Sequence, residues 1–167
     1  RQTLQKYNLK SNPLKAEIVP ELFFELGEMH EETGEFLDAG EAFIQAIASY
    51  NHPVDHLETP SYIVDSHFLG PKMHHKAQNY DIALENYKKA INIYRKTENE
   101  EIMEQVLWAR YQSGVINSNM GDKKEALSIY AELMELPGYE DKLWKKLATE
   151  NHRTISSKLS YDKYMNE

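Results

Sequence analysis

The sequence contains no cysteine, so it can form no disulfide bond and offers no thiolate ligand to a metal. Only seven glycines and six prolines occur among its 167 residues, which indicates that no long flexible linker is present. No apolar run approaches the length of a membrane span, and this argues against membrane insertion. The absence of cysteine is compatible with a protein of the reducing cytoplasm or of a bacterial periplasm. Of these two locations we favour the cytoplasm.

Basic residues are missing from one long stretch of the chain. Between Ala16 and Pro71 there is no Lys or Arg, and the net charge of the whole chain is −8. The same stretch carries twelve acids: Glu17, Glu21, Glu25, Glu28, Glu31, Glu32, Glu35, Asp38, Glu41, Asp55, Glu58 and Asp65. Nucleic acids and anionic membranes need basic surfaces, so both are disfavoured as partners. The acidic stretch predicts either a solubilising face or the electrostatic steering of a cationic partner.

One pattern of residue types occurs three times along the chain. A turn position is followed by an aromatic or polar residue, a small residue, an aromatic residue and a small or aliphatic residue at fixed offsets. The copies are Gly34, Phe36, Ala39, Phe43 and Ala46; Gln78, Tyr80, Ala83, Tyr87 and Ala90; and Gly121, Lys123, Ala126, Tyr130 and Leu133. This spacing is typical of the second helix of a helical hairpin, whose small residues let neighbouring helices approach. We therefore expect these small and aromatic residues in the core, with successive hairpins stacked on one another.

The residues before the first copy extend the pattern. Phe23, Leu26, Gly27 and His30 match the offsets of the signature W-x2-L-G-x2-Y. On these residues the chain resembles the tetratricopeptide repeat family over about residues 20 to 137. Trp144, Leu147 and Ala148 begin a partial fourth copy. The spacing from Ala39 to Ala83 is 44 residues, longer than the family's period of roughly 34.

The resemblance implies an all-α fold, a right-handed superhelical stack of about three hairpins followed by a C-terminal capping helix. We expect one domain over residues 1–167, with repeats at about 14–50, 61–97 and 100–136 and the capping helix at about 141–159. Arg1 in first place is compatible with a segment of a longer repeat protein. Ser11 and Asn12 predict an N-cap, Pro20 predicts a kink or restart, and Gly70-Pro71 predicts a strained helix.

The family binds partners in a concave groove lined by the first helix of each hairpin. The corresponding positions of this sequence predict a groove that is acidic at one end and aromatic at the other. They are Glu21, Phe24, Glu28 and Glu31 in the first repeat, about Asp65, Phe68, Lys72 and His75 in the second, and Trp108, Tyr111, Val115 and Ser118 in the third. Such a groove suits a protein or peptide partner with basic or apolar side chains. The predicted function is therefore a protein–protein interaction scaffold or adaptor.

Two other functions stay open from the sequence. The chain could be a structural or self-assembling segment of a repeat array, including a homo-oligomer, with no peptide ligand. It could also bind a metal, because five histidines occur close together: His52, His56, His67, His74 and His75. Their spacing matches no metal motif, and no phosphate loop or nucleophile motif is present. We therefore expect no enzyme activity, no cofactor and no metal.

Overall fold

The computed structural model describes residues 13–54 and 58–165, and in this part of the chain all regular structure is helical. The helices are α1 (Pro13–Thr33), α2 (Phe36–Ser49), α3 (Ser61–Lys76), α4 (Tyr80–Tyr94), α5 (Glu100–Met120), α6 (Lys123–Met134) and α7 (Leu143–Met165). Each of α1, α2, α5 and α6 packs on the helix that follows it. The expectation of an all-α stack of helices is therefore confirmed.

The chain divides into two compact units. The first ends at Ala90 and the second begins at Ile91, so the boundary falls within α4. In the first unit α1 and α3 also contact each other, and in the second unit α5 and α7 do so. One helix in each unit therefore packs against two others: α2 against α1 and α3 in the first unit, and α6 against α5 and α7 in the second.

The helix ends follow local sequence signals. Gly34 after α1 and Gly121 after α5 have positive φ angles of 79° and 93°, a conformation that ends a helix at little cost for glycine. The side chain of Asn99 accepts hydrogen bonds from the backbone N–H groups of Glu101 and Ile102, and so caps α5. Asp122 caps α6 in the same manner through the N–H of Glu125. The turns predicted between paired helices are confirmed.

The last three residues of each copy of the repeated pattern lie in the core, as predicted for its small residues and for the aromatic residues that follow them. The small residues and the aromatic residues that follow them are at most 2% exposed: Ala39, Phe43, Ala46, Ala83, Tyr87, Ala90, Ala126, Tyr130 and Leu133. Trp144 and Ala148, which begin the partial fourth copy, are fully buried as well. Burial of this apolar surface provides the main driving force for holding the helices together.

Two glycines lie where a helix packs closely against an aromatic ring of the helix that follows it. A methyl group at Gly27 would stand 2.7 Å from the Phe43 ring, and one at Gly114 would stand 2.6 Å from the Tyr130 ring. Both glycines precede their aromatic partner by sixteen residues in the sequence. In the middle copy the residue at that offset from Tyr87 is the buried Pro71. The same close packing of a helix on a ring therefore occurs in both units.

Some predicted boundaries differ from the structure. Pro20 lies inside the uninterrupted helix α1, so it does not restart that helix, and Pro71 lies inside α3. Both proline rings are fully buried, so their apolar contacts offset the lost backbone hydrogen bond. Helix α6, which closes the third hairpin, ends at Met134. Helix α7 continues to Met165, six residues past the expected end of the capping helix. The predicted N-cap at Ser11 and Asn12 lies outside the described residues.

Candidate interaction surfaces

The predicted groove positions on α1 divide into exposed and partly buried side chains. Glu21 and Glu28 are exposed to solvent. Phe24 is half-buried, with its ring centroid 5.6 Å from that of Phe43 and 6.0 Å from that of Tyr62. The Phe24 ring thus contributes to the contacts among α1, α2 and α3, and only part of it is available to a partner.

The fourth α1 position, Glu31, forms ion pairs inside the first unit. Its Oε1 atom lies 2.9 Å from the Nζ of Lys76 and 3.6 Å from the Nζ of Lys72, both on α3. Burial alone would raise the pKa of Glu31, but the two ammonium groups outweigh it and hold the pKa below its ordinary value. This carboxylate therefore joins α1 to α3.

The four second-repeat positions range from buried to exposed. Phe68 is 8% exposed, which leaves little of its ring accessible to a partner. Asp65 and His75 are half-buried, and Lys72 is exposed. His75 packs against Tyr80, with the two ring centroids 5.8 Å apart. Phe68 therefore supports the packing of α3 more than it offers a contact surface.

The third-repeat aromatics form a connected cluster in the second unit. The Trp108 and Tyr111 ring centroids are 5.4 Å apart, and those of Tyr111 and Tyr130 are 5.9 Å apart. The amide of Asn151 donates hydrogen bonds to both tyrosine hydroxyls, at 3.1 and 3.4 Å. Burial raises the pKa of Tyr130 to about 12, although the Asn151 bond opposes the shift. Trp108 keeps a half-buried ring, while Tyr111 is buried.

Helices α5 and α7 run side by side with a constant offset of forty residues. The Trp144 ring nitrogen donates to Glu104 at 2.9 Å, and Asn151 donates to Tyr111; each pair is forty positions apart. On each helix, the two hydrogen-bonded side chains are seven residues apart, which is about two turns. The same offset relates Val115 to Ile155, which both line an open pocket. The two helices are therefore parallel and aligned turn by turn.

The pocket opens between α5, α6 and α7. Its volume is about 530 Å³. Its lining comprises Val115, Ser118, Asn119, Lys123, Tyr130, Asn151, Thr154, Ile155, Lys158, Leu159 and Asp162. The ammonium group of Lys123 donates hydrogen bonds to the backbone carbonyl and the hydroxyl of Ser118. These bonds hold the Lys123 side chain at the edge of the pocket. Val115 and Ser118, two of the predicted groove positions, are among these lining residues.

The histidines of the metal-binding alternative that the structure describes belong to no metal-site arrangement. His67 and His74 are buried on α3, and burial lowers the pKa of each. The Nδ1 atom of His67 lies 2.9 Å from the carbonyl oxygen of Ile63. Within residues 13–54 and 58–165, no group of three His, Asp or Glu side chains has the arrangement of a metal site. His56 lies outside these ranges.

Sequence reasoning missed the contribution of α7 to the pocket. Ile155 and Leu159 stand four positions apart on α7, as residues on one helix face do. They follow the residues that match the family signature, so the resemblance assigned them no role. Their apolar spacing beyond the buried Trp144 and Ala148 was the signal that could have identified them.

Comparisons with known proteins do not assign this chain to a family. No protein-family model matches the sequence, and no curated protein sequence matches it either. In the described part of the chain, no helix combines the length and apolar character needed to cross a lipid bilayer.

Proposed function

We propose that this chain is a helical-repeat interaction module of the tetratricopeptide kind, and that it holds a peptide segment of a protein partner. The repeated columns of small and aromatic residues support the repeat assignment, because they form the buried contacts between helices. The observation that carries the binding role is the open pocket between α5 and α7. It provides a concave surface on the helix face where the resemblance places the partner.

The chemistry of the pocket favours a peptide with an apolar anchor. Val115, Ile155 and Leu159 supply apolar surface from two helices, and a volume of about 530 Å³ can admit a large side chain. Asn119 and Thr154 add polar groups to the lining, where they can hydrogen-bond to a peptide backbone. An aromatic or aliphatic side chain would therefore enter the pocket while the peptide backbone remains near its polar lining.

The charge of the chain favours a partner that is basic outside this anchor. The net charge is −8, and a field of this sign accelerates encounters with cationic partners. Lys123 and Lys158 lie at the pocket itself, so the basic residues of the partner would flank the anchor at a distance. Raising the salt concentration should therefore slow association without abolishing the apolar contact.

Selection from a random peptide library tests the proposal. A phage-displayed library of 12-residue peptides is panned on the immobilised chain, and enriched sequences are synthesised with a fluorescent label. Fluorescence anisotropy then gives the dissociation constant for the original chain and for Val115→Trp, in which a larger side chain occupies the pocket. We expect enrichment of peptides with an apolar anchor and basic neighbours, and about a tenfold weaker affinity for Val115→Trp.

A matched control separates pocket filling from a general effect of tryptophan. Ile82 is an exposed apolar residue on α4 outside the pocket, so Ile82→Trp should keep the original affinity. Both variants should melt within a few degrees of the original chain by circular dichroism. Failure to enrich any peptide, or equal binding by Val115→Trp, would contradict the proposed function.

A further inference from the structure

Helix α1 exposes a row of large apolar side chains on the side opposite its core contacts. Ile18, Leu22, Leu26 and Met29 are 51%, 53%, 37% and 63% exposed. Their spacing of four, four and three residues places them on one face of the helix. We call these four residues the α1 stripe. Gly27, against the Phe43 ring, lies on the opposite face of the helix.

The α1 stripe differs from the other exposed apolar residues of the first unit. Leu37 on α2 and Ile82 on α4 are exposed singly, which is ordinary for a protein surface. Four neighbouring side chains over three helical turns form a continuous apolar surface about 16 Å long. A continuous exposed apolar surface of this kind marks a site of interaction.

One edge of the α1 stripe is acidic. Glu21, Glu25, Glu28 and Glu32 repeat at the same helical spacing, and all four are exposed. Among the described residues none of them pairs with a basic side chain. Glu31 is different, because it lies towards α3 and binds Lys72 and Lys76 there. We call the four exposed carboxylates the acidic edge.

These features determine the kind of partner. The middle of an α-helix has no free backbone donors or acceptors, so an added β-strand finds no hydrogen bonds on α1. The acidic edge repels anionic lipid surfaces and the α1 helix of a second copy. A partner helix can match the length of the α1 stripe with apolar residues at every third or fourth position. Lys or Arg beside those residues would meet the acidic edge.

We propose that α1 docks an amphipathic helix of a protein partner, with apolar side chains on the α1 stripe and Lys or Arg side chains along the acidic edge. This surface is separate from the pocket between α5 and α7, which belongs to the second unit. The chain would therefore present two interaction surfaces of different chemistry.

Synthetic helical peptides of about 18 residues, long enough to cover the α1 stripe, provide the test. The probe carries Leu on one face and Lys along one edge, and a charge-reversed version carries Glu in place of Lys. Anisotropy is measured with the original chain and with the double variant Leu22→Ser, Met29→Ser. We expect the Lys peptide to bind the original chain, with at least about a tenfold loss in the double variant and in the charge-reversed peptide.

Two further variants make the result specific. Leu37→Ser removes an exposed apolar side chain outside the α1 stripe, and it should keep the affinity for the Lys peptide. Val115→Trp should keep it as well, so failure here and failure of the pocket proposal are distinguishable. Equal binding by the double variant would overturn the inference. Self-association would overturn it as well, if analytical ultracentrifugation detects it for the original chain and not for the double variant. A second copy of the chain would then cover the α1 stripe.

Discussion

Gly40 on α2 and His74 on α3 lie in direct contact. A methyl group at position 40 would stand 2.9 Å from both Cδ2 and Nε2 of the imidazole, closer than side-chain atoms ordinarily approach. His74 is 2% exposed, and in the described structure neither ring nitrogen has a hydrogen-bond partner. The ring is therefore enclosed by shape rather than by polar contacts, which is uncommon for a buried polar group.

Enlarging Gly40 should force α2 and α3 apart. We expect Gly40→Ala to lower the free energy of unfolding by about 1–3 kcal/mol, the usual cost of overpacking a tight contact. Urea denaturation followed by circular dichroism measures the change. Ala48→Ser, an exposed change on the same helix, should alter it by less than about 0.5 kcal/mol. Equal stabilities of Gly40→Ala and the original chain would show that the helices adjust freely.

Acid should destabilise the first unit through its buried histidines. Burial lowers the pKa of His74 below 6.5, although the Glu41 carboxylate opposes the shift. Burial lowers the pKa of His67 and of His75 in the same direction. The unfolded chain therefore binds protons more readily than the folded one. The stability contributed by neutral histidine is present above about pH 6.5 and is lost as the pH falls towards the folded pKa.

Replacing His74 with a side chain that does not titrate should reduce the loss of stability at low pH. We expect the loss of unfolding free energy between about pH 7.5 and pH 5.5 to be smaller in His74→Leu than in the original chain. Urea titrations at each pH give the comparison. A pH response of unchanged size in His74→Leu would exclude a contribution from this side chain.

The bonds from Asn151 to two tyrosines should be coupled energetically. Asn151→Leu leaves the hydroxyls of Tyr111 and Tyr130 without this donor, and should cost about 1–3 kcal/mol of unfolding free energy. The same substitution in a chain that already carries Tyr111→Phe and Tyr130→Phe should cost less. Chemical denaturation of the four proteins forms a double-mutant cycle. A coupling energy near zero would mean that the two bonds contribute nothing measurable.

Phe24 should behave as a structural residue. Because its ring contacts Phe43 and Tyr62, Phe24→Ala should lower the free energy of unfolding by about 2 kcal/mol. Glu21→Ala, an exposed change on the same helix, should have little effect. Thermal melts and urea denaturation distinguish the two. If Phe24→Ala is as stable as the original chain, the ring does not support the core and is available to bind a partner.

The core could be predicted from the sequence because its residues repeat. Ala39, Phe43, Ala126 and Tyr130 occupy matching positions, and close helix packing demands small and aromatic residues there whatever the partner helix. The turns were predictable for a similar reason, since Gly121 adopts a positive φ angle that other residues disfavour. These features depend on local spacing and on backbone geometry, both of which the sequence contains.

The surfaces could not be predicted in the same way. Helix α1 carries apolar residues around much of its circumference, so its sequence does not show whether Phe23 and Phe24 or Leu22 and Met29 meet the core. Contact with α2 and α3 decides this, and it leaves the α1 stripe outside. The groove positions at Glu31 and Tyr111 likewise acquire partners from distant helices. Tertiary packing therefore determined which side chains remained accessible.

The parallel alignment of α5 and α7 places a constraint on how this sequence can evolve. Glu104 with Trp144, and Tyr111 with Asn151, stand at one common separation along the chain. An insertion or deletion within either helix would give the pairs before it and the pairs after it different separations, so the two helices could no longer align all of them. Length changes should therefore accumulate between α6 and α7, while paired positions on the two helices change together among descendants of this gene.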